Sequence, residues 1–282
     1  MDKRNYLTLC DGAYAHYAHA LFMSIKQHVS QFHLYVLCVD EAARDKLSPW
    51  QGEHLTLLLL SDHETADLLA VKATRTRGEY CWTLTPFSFD FVFNTYPDVE
   101  TLTYLDADLC FLGPDTAIRQ EFIQSKKGAL ITLHAYAPDY DQSATSGKFC
   151  VQYVIFHRSQ GRTILQDWQQ KCLEWCFNRV ENGRFGDQKY LDEWPIRFPD
   201  DVHVLTALNS ILAPWNAIRF PYSEAVIWHF HGLRLVEIDG RAQVQMDSSY
   251  KLPDVTIKHV YEPYVAHLAN SYAAINRPDV TP

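Results

Sequence analysis

Thr101-Leu-Thr-Tyr-Leu-Asp106-Ala-Asp108-Leu-Cys-Phe-Leu-Gly113-Pro114 is an apolar, β-prone run that carries two carboxylates two positions apart and stops at Gly-Pro. In an extended strand, residues two apart point to the same side. Asp106 and Asp108 are therefore expected to converge at the end of one strand with only Ala107 between them. Unpaired buried carboxylates are costly, so such a pair needs a compensating cation. A hard divalent ion such as Mg²⁺ or Mn²⁺ suits oxygen ligands and keeps positions open for substrate phosphates. The competing interpretation of the triplet alone is a solvated strand exit in which both acids cap backbone amides. The apolar flanks Tyr104-Leu105 and Leu109 to Leu112 favour the buried, cation-binding pair.

Working outward, Tyr6 to Cys10 forms a short apolar strand that ends at Asp11-Gly12, and Tyr14 to Val29 has the spacing of an amphipathic helix. A strand at His33 to Val39 is followed by a helix at Glu41 to Leu47, and a strand at His54 to Leu60 by a helix at Glu64 to Thr74. Strands alternating with helices imply a mostly parallel, Rossmann-like sheet with helices on both faces, an α/β fold. Ligands in such sheets lie beyond the carboxyl ends of the strands, where Asp11 and the acid pair both fall.

Ala129 to Leu133 and Cys150 to His157 read as further strands, joined by a polar loop over His134 to Lys148 that is long enough to be mobile. Arg162 to Arg179 is expected to be one long helix with Trp168, Cys172, Trp175 and Cys176 on its apolar face. Residues 1–246 are assigned to one domain, and 247–282 to a C-terminal tail, helical over Glu262 to Ile275, that packs on it.

Composition narrows the function. A net charge of -9 argues against a nucleic-acid backbone as partner, because phosphate tracking needs concentrated Lys and Arg. Seven cysteines without a C-x-x-C pair read as reduced core thiols in a cytoplasmic protein. No opening signal peptide and no apolar stretch of about 20 residues is present, so no transmembrane segment is expected. Peripheral attachment to a membrane through a patch or a partner stays open.

The D-x-D at the tip of an apolar strand resembles the metal-binding motif of GT-A glycosyltransferases. Three later segments fall in the order shown by glycosyltransferase family 8: Asp187-Gln188 after the long helix, Trp215-Asn216, and Ile227-Trp-His229-Phe230-His231-Gly232. The resemblance spans roughly residues 5 to 235. It implies Asp106, Asp108 and His229 as ligands of Mn²⁺ or Mg²⁺, with Ala107 beside the donor. It also implies Asp11 and Tyr14 at the nucleoside, and Asp187 and Gln188 beside the reacting sugar. His229 as a core histidine and Asp187 as a helix N-cap are the structural alternatives. His231 is a second candidate ligand or phosphate contact, and Trp215 and Asn216 divide between cleft wall and packing.

Two departures from the family stand out. Where it continues with Lys-Pro-Trp, this chain has Leu233-Arg234-Leu235-Val236, which leaves Arg234 as the candidate diphosphate contact. Where the donor-lining strand usually holds Asn and a small Gly, this chain has Phe149-Cys150-Val151-Gln152. Arg75 and Arg77, in the region where relatives place a basic residue against the diphosphate, are further donor candidates. A solvated helix end is the other account of them.

The resemblance implies transfer of a hexosyl or N-acetylhexosaminyl group from a nucleotide-sugar donor, a UDP-sugar, to a saccharide or glycolipid hydroxyl. Retention at the anomeric carbon and a place in bacterial surface polysaccharide or lipopolysaccharide assembly go with it. The alternatives are an inverting GT-A transferase with Asp187 as base, a metal-dependent phosphohydrolase, and an inactive nucleotide-sugar-binding scaffold.

Overall fold

Alternation along β1 (Arg4–Cys10) sends Tyr6 and Cys10 into one hydrophobic cluster and Leu7 and Leu9 into another. A strand buried on both faces belongs in the middle of a sheet covered on both sides. The computed structural model, which describes residues 3–238 and 241–276, has this arrangement. Met1-Asp2 and the last part of the expected tail, 277–282, lie outside the described residues.

The chain continues through α1 (Ala15–His28), β2 (Phe32–Cys38), α2 (Glu41–Leu47), β3 (Leu55–Leu59), α3 (Ala66–Lys72) and α4 (Arg77–Thr95). Next come β4 (Thr101–Leu105), β5 (Leu109–Phe111), α5 (Thr116–Ser125), β6 (Ala129–Leu133), β7 (Phe149–His157), α6 (Arg162–Glu174), α7 (Trp194–Arg197) and β8 (Val202–Val204). The last described elements are β9 (Ile211–Leu212), β10 (Ile227–His229), β11 (Arg234–Ile238), β12 (Arg241–Gln245), α8 (Asp254–Thr256) and α9 (Glu262–Asn276).

The main sheet has the order β3-β2-β1-β4-β7-β6-β8, and among the described strands only β7 runs against the others. Leu21, Phe22 and Ile25 of α1 and Leu268 of α9 fill one face. Leu84, Phe89 and Val92 of α4 and Trp168 of α6 fill the other. Each such side chain contributes roughly 1.5–3 kcal/mol of burial. Because β1 is followed outward by β2 and β3 on one side and by β4 on the other, the winding reverses between β1 and β4. A crevice opens at such a point beyond the strand ends.

The structure corrects two expectations. Asp106, Ala107 and Asp108 are not in a strand: β4 stops at Leu105, and a turn closed by the Leu109 N–H on the Asp106 carbonyl (3.1 Å) carries the chain into β5. β5 belongs to a separate sheet, β5-β10-β9. The two acids therefore meet because the turn folds them together, not because they alternate along one strand. The helix expected over Arg162 to Arg179 ends at Glu174, with Trp175 extended and Trp175 and Cys176 buried beyond the helix end.

α4 is a 19-residue helix that starts at Arg77 and lies beyond the elements expected from the sequence. Its N-terminus is a capping box, in which Thr76 accepts from the Glu79 N–H and Glu79 from the Thr76 N–H. Thr83, Thr85 and Thr95 donate their hydroxyls to carbonyls four residues back. Pro86, inside the helix, has no N–H to continue the ladder. All seven cysteines are free, six of them buried. No helix among the described residues is long and apolar enough to cross a membrane.

Candidate active site

The crevice beyond β1 and β4 is a cleft of about 670 Å³. Asp11, Tyr14, Arg77, Asp106, Ala107, Asp108, Asp187, Gln188, His229 and Arg234 all line it. At its floor, antiparallel pairing of β5 with β10 places His229 opposite Leu109, and the Phe230 N–H donates to the Asp108 carbonyl at 3.0 Å. Ladder geometry thus carries the imidazole to the acid pair across more than a hundred residues of chain.

His229 Nε2 lies 3.1 Å from Asp108 Oδ1 and 3.8 Å from Asp106 Oδ2. One ligand atom from each of the three residues falls within 4.8 Å of the others, the only such group of His, Cys, Asp and Glu among the described residues. The other ring nitrogen, Nδ1, is 2.7 Å from Gln152 Oε1. Burial works against ionising Asp108, yet His229 beside it holds its carboxyl well below the usual range. Burial, with Asp108 adding to it, raises Asp106 despite His229. Burial disfavours a charged His229, but Asp108 and Asp106 outweigh it and raise the imidazole. The floor of the cleft thus draws in positive charge, and two carboxylates with one imidazole nitrogen are a donor set that fits one divalent ion.

Asp187 is 5% exposed. Burial first, then the charge of Asp106, pushes its carboxyl up to about 8. Asp187 occupies the N-cap position of the 3-10 turn Gln188–Glu193 without a side-chain cap bond, and the Gln188 N–H beside its carboxyl works against the rise. Its carbonyl accepts from Trp168 Nε1 at 2.9 Å, and Gly186 before it holds a positive φ of 52°, where an added Cβ would meet the Trp82 ring at 3.4 Å. Gln188 donates to the Ser146 carbonyl at 2.8 Å and so ties this segment to the 134–148 loop.

Trp215 stands edge-on to His229 and His231, with ring centroids 5.3 and 5.4 Å away, and donates its indole N–H to the His134 carbonyl. Asn216 instead lies buried behind it, accepting from the Ala213 N–H and donating to the same His134 carbonyl. Burial lowers His231 to about 4.

Elsewhere on the lining, Asp11 accepts from the amides of Ala13 and Tyr14, while Arg77 bridges Asp11 and Asp40. Arg234 lies 3.9 Å from Asp108 Oδ2, with its guanidinium 5.4 Å from the centre of the Tyr14 ring. Arg75 is not at the cleft. It turns to the end of α6, donating to the Cys172 and Leu173 carbonyls at 2.7 and 2.8 Å, and to Thr83.

Several cleft residues carried no family signal. Trp82 and Phe185, with ring centroids 6.1 Å apart, line the cleft, and Tyr136, stacked on His134 at 4.6 Å, lines it with Tyr250. Gln152 stands out in the sequence only as a departure from the resembled family. A lone amide in an apolar strand was the available signal, since a buried polar group must find a partner.

No protein-family model matches the chain. YfnD of Bacillus subtilis (strain 168), an uncharacterized protein, is 31% identical over 265 residues, covering 87% of this chain and 82% of YfnD. YfnF of the same organism is 28% identical over 281 residues, covering 93% and 92%. Among solved structures, the galactosyltransferase LgtC in complex with donor and acceptor sugar analogues matches with a TM-score of 0.58 at 11% identity, over 94% of this chain and 95% of that one. The likeness shows a fold of the GT-A type.

Proposed function

The chain belongs to the family of Bacillus subtilis YfnD, and from that premise and its GT-A frame we propose that it is a divalent-metal-dependent glycosyltransferase. In this proposal it moves a hexosyl or N-acetylhexosaminyl group from a UDP-sugar to a hydroxyl of a saccharide or glycolipid, in bacterial surface glycan assembly at the cytoplasmic side. The observation that carries the proposal is the convergence of Asp106, Asp108 and His229 at the floor of the large cleft beyond β1 and β4.

Asp106, Asp108 and His229 would hold Mn²⁺ or Mg²⁺, which supplies positive charge against a departing diphosphate. Arg234, a forked cation beside Asp108, is suited to the phosphate oxygens in place of the lysine of glycosyltransferase family 8. Asp11 and Arg77 bind the nucleoside end, with Trp82 and Phe185 as apolar wall. Asp187 and Gln188 flank the transferred sugar, and Trp215, Tyr136 and Tyr250 offer ring faces to the acceptor.

Retention at the anomeric carbon is taken from the resemblance to glycosyltransferase family 8. In the metal-free protein the Asp187 carboxyl is raised to about 8, near the pH where a general base works best, so Asp187 is also the base of the inverting alternative, and the product linkage decides between them.

The test is UDP release from a panel of UDP-sugars with Mn²⁺, with and without saccharide acceptors, followed by NMR of the product linkage. The expected result is Mn²⁺-dependent release that rises with one acceptor and yields the donor's anomeric configuration. Equal turnover without any acceptor would identify a phosphohydrolase, and nucleotide-sugar binding without turnover would identify a scaffold. Absence of Mn²⁺-dependent nucleotide binding overturns the proposal.

A further inference from the structure

Gln152 is the one amide in the otherwise apolar Phe149-Cys-Val-Gln152-Tyr-Val-Ile-Phe156 stretch of β7, and it is 1% exposed. Its amide is buried on the His229 ring and is not open to the cleft. Both of its polar ends point to the floor of the site. Its backbone carbonyl accepts from the Asp106 N–H at 3.1 Å, and its side-chain oxygen lies 2.7 Å from His229 Nδ1. One residue of the single reversed strand therefore touches both arms of the Asp-Asp-His group, which come from the turn after β4 and from β10.

We propose that Gln152 is a positioning residue for the metal ligand His229. A histidine can coordinate through Nε2 only when that nitrogen carries a lone pair, which puts the ring proton on Nδ1 and requires an acceptor there. Gln152 Oε1 is that acceptor. It fixes the tautomer and the ring plane so that Nε2 faces Asp106 and Asp108. At the strand position where the resembled family places a small residue and an asparagine beside the donor, this chain has a longer amide spent on the imidazole. The proposal rests on the three side chains being an ion site.

The experiment uses the full-length protein and Mn²⁺ alone as probe, with free Mn²⁺ followed by electron paramagnetic resonance. Gln152→Leu keeps the volume and the backbone carbonyl on Asp106 but removes the acceptor, and the expected loss of Mn²⁺ affinity is about 10–100-fold. Gln152→Glu restores an acceptor oxygen and is expected to bind within about threefold of wild type, a rescue that a purely packing role does not provide. Circular dichroism melting without metal checks the fold of each variant, and Gln152→Met serves as the apolar comparison should the leucine variant not fold. If wild type binds Mn²⁺ and the apolar variant binds equally well, the positioning role is wrong while the ion site stands. If the glutamate variant is as weak as the leucine variant, the acceptor argument is likewise overturned. If wild type itself binds no Mn²⁺, the ion site fails and this proposal fails with it.

Discussion

Replacing Asp187 with asparagine should stabilise the metal-free protein, by an amount that grows with pH. Burial and the neighbouring Asp106 charge push the Asp187 carboxyl up to about 8, whereas in the unfolded chain it titrates near the ordinary aspartate value of about 3.9. Between those values the folded state keeps a proton that the unfolded state releases, so stability falls as pH rises through the window. Below about pH 4 both states are protonated and the penalty is absent; above about pH 8 it is complete.

Each pH unit in the window is worth about 1.4 kcal/mol, which sets a ceiling of roughly 4 kcal/mol at pH 7. Asparagine has nearly the same shape and no charge at any pH, so Asp187→Asn removes the penalty. Water reaching the carboxyl from the cleft reduces the effect, and a relative gain of about 1–3 kcal/mol between pH 5 and pH 7.5 is the expected size. Urea unfolding of both proteins in EDTA, followed by tryptophan fluorescence and extrapolated to water, measures it. An advantage that stays constant with pH, or shrinks as pH rises, would show that Asp187 ionises at least as readily as it does in water. The argument for a protonated carboxyl in the cleft would then be refuted.

Removing the imidazole by His229→Ala should abolish high-affinity Mn²⁺ binding and lower metal-dependent turnover by about 10³-fold or more; unchanged Mn²⁺ affinity in a titration would exclude His229 as a ligand. Arg75→Ala should lose about 1–3 kcal/mol in urea unfolding, because the carbonyls at the end of α6 lose their charged donor, while activity per folded molecule stays at the wild-type level. A raised donor KM with unchanged stability would return Arg75 to the donor site. Arg234→Ala should raise the donor KM by about tenfold, with Arg234→Lys between the two, since lysine keeps the charge but not the fork. Equal donor KM values for all three proteins would remove Arg234 from the diphosphate.

The alternating strands and helices from Tyr6 to Leu60 were legible to within a residue or two because parallel strands buried on both faces are continuous apolar runs. α4 was not legible. Its threonines, aromatics and Pro86 are poor helix formers in isolation, and only packing of Leu84, Phe89 and Val92 against the sheet secures it. The convergence of Asp106 and Asp108 could be anticipated from their spacing, but its cause could not, since the break at Leu105 depends on β5 pairing with a strand far downstream. Arg75 and Arg77 look equivalent in sequence, and they part because the capping box at Thr76 turns one toward α6 and the other toward Asp11.

Behind His229, the ring of Phe230 stacks on Tyr264 of α9 with centroids 3.5 Å apart. His267 of the same helix reaches back to the Ala20 carbonyl of α1. A nascent chain leaving the ribosome can pair its first three strands early, but the support under the imidazole arrives only with the last described helix. Messages truncated before residue 262 should therefore yield a product that forms the early strands yet leaves Phe230 without its stacking partner, an exposed aromatic that invites capture by chaperones and degradation.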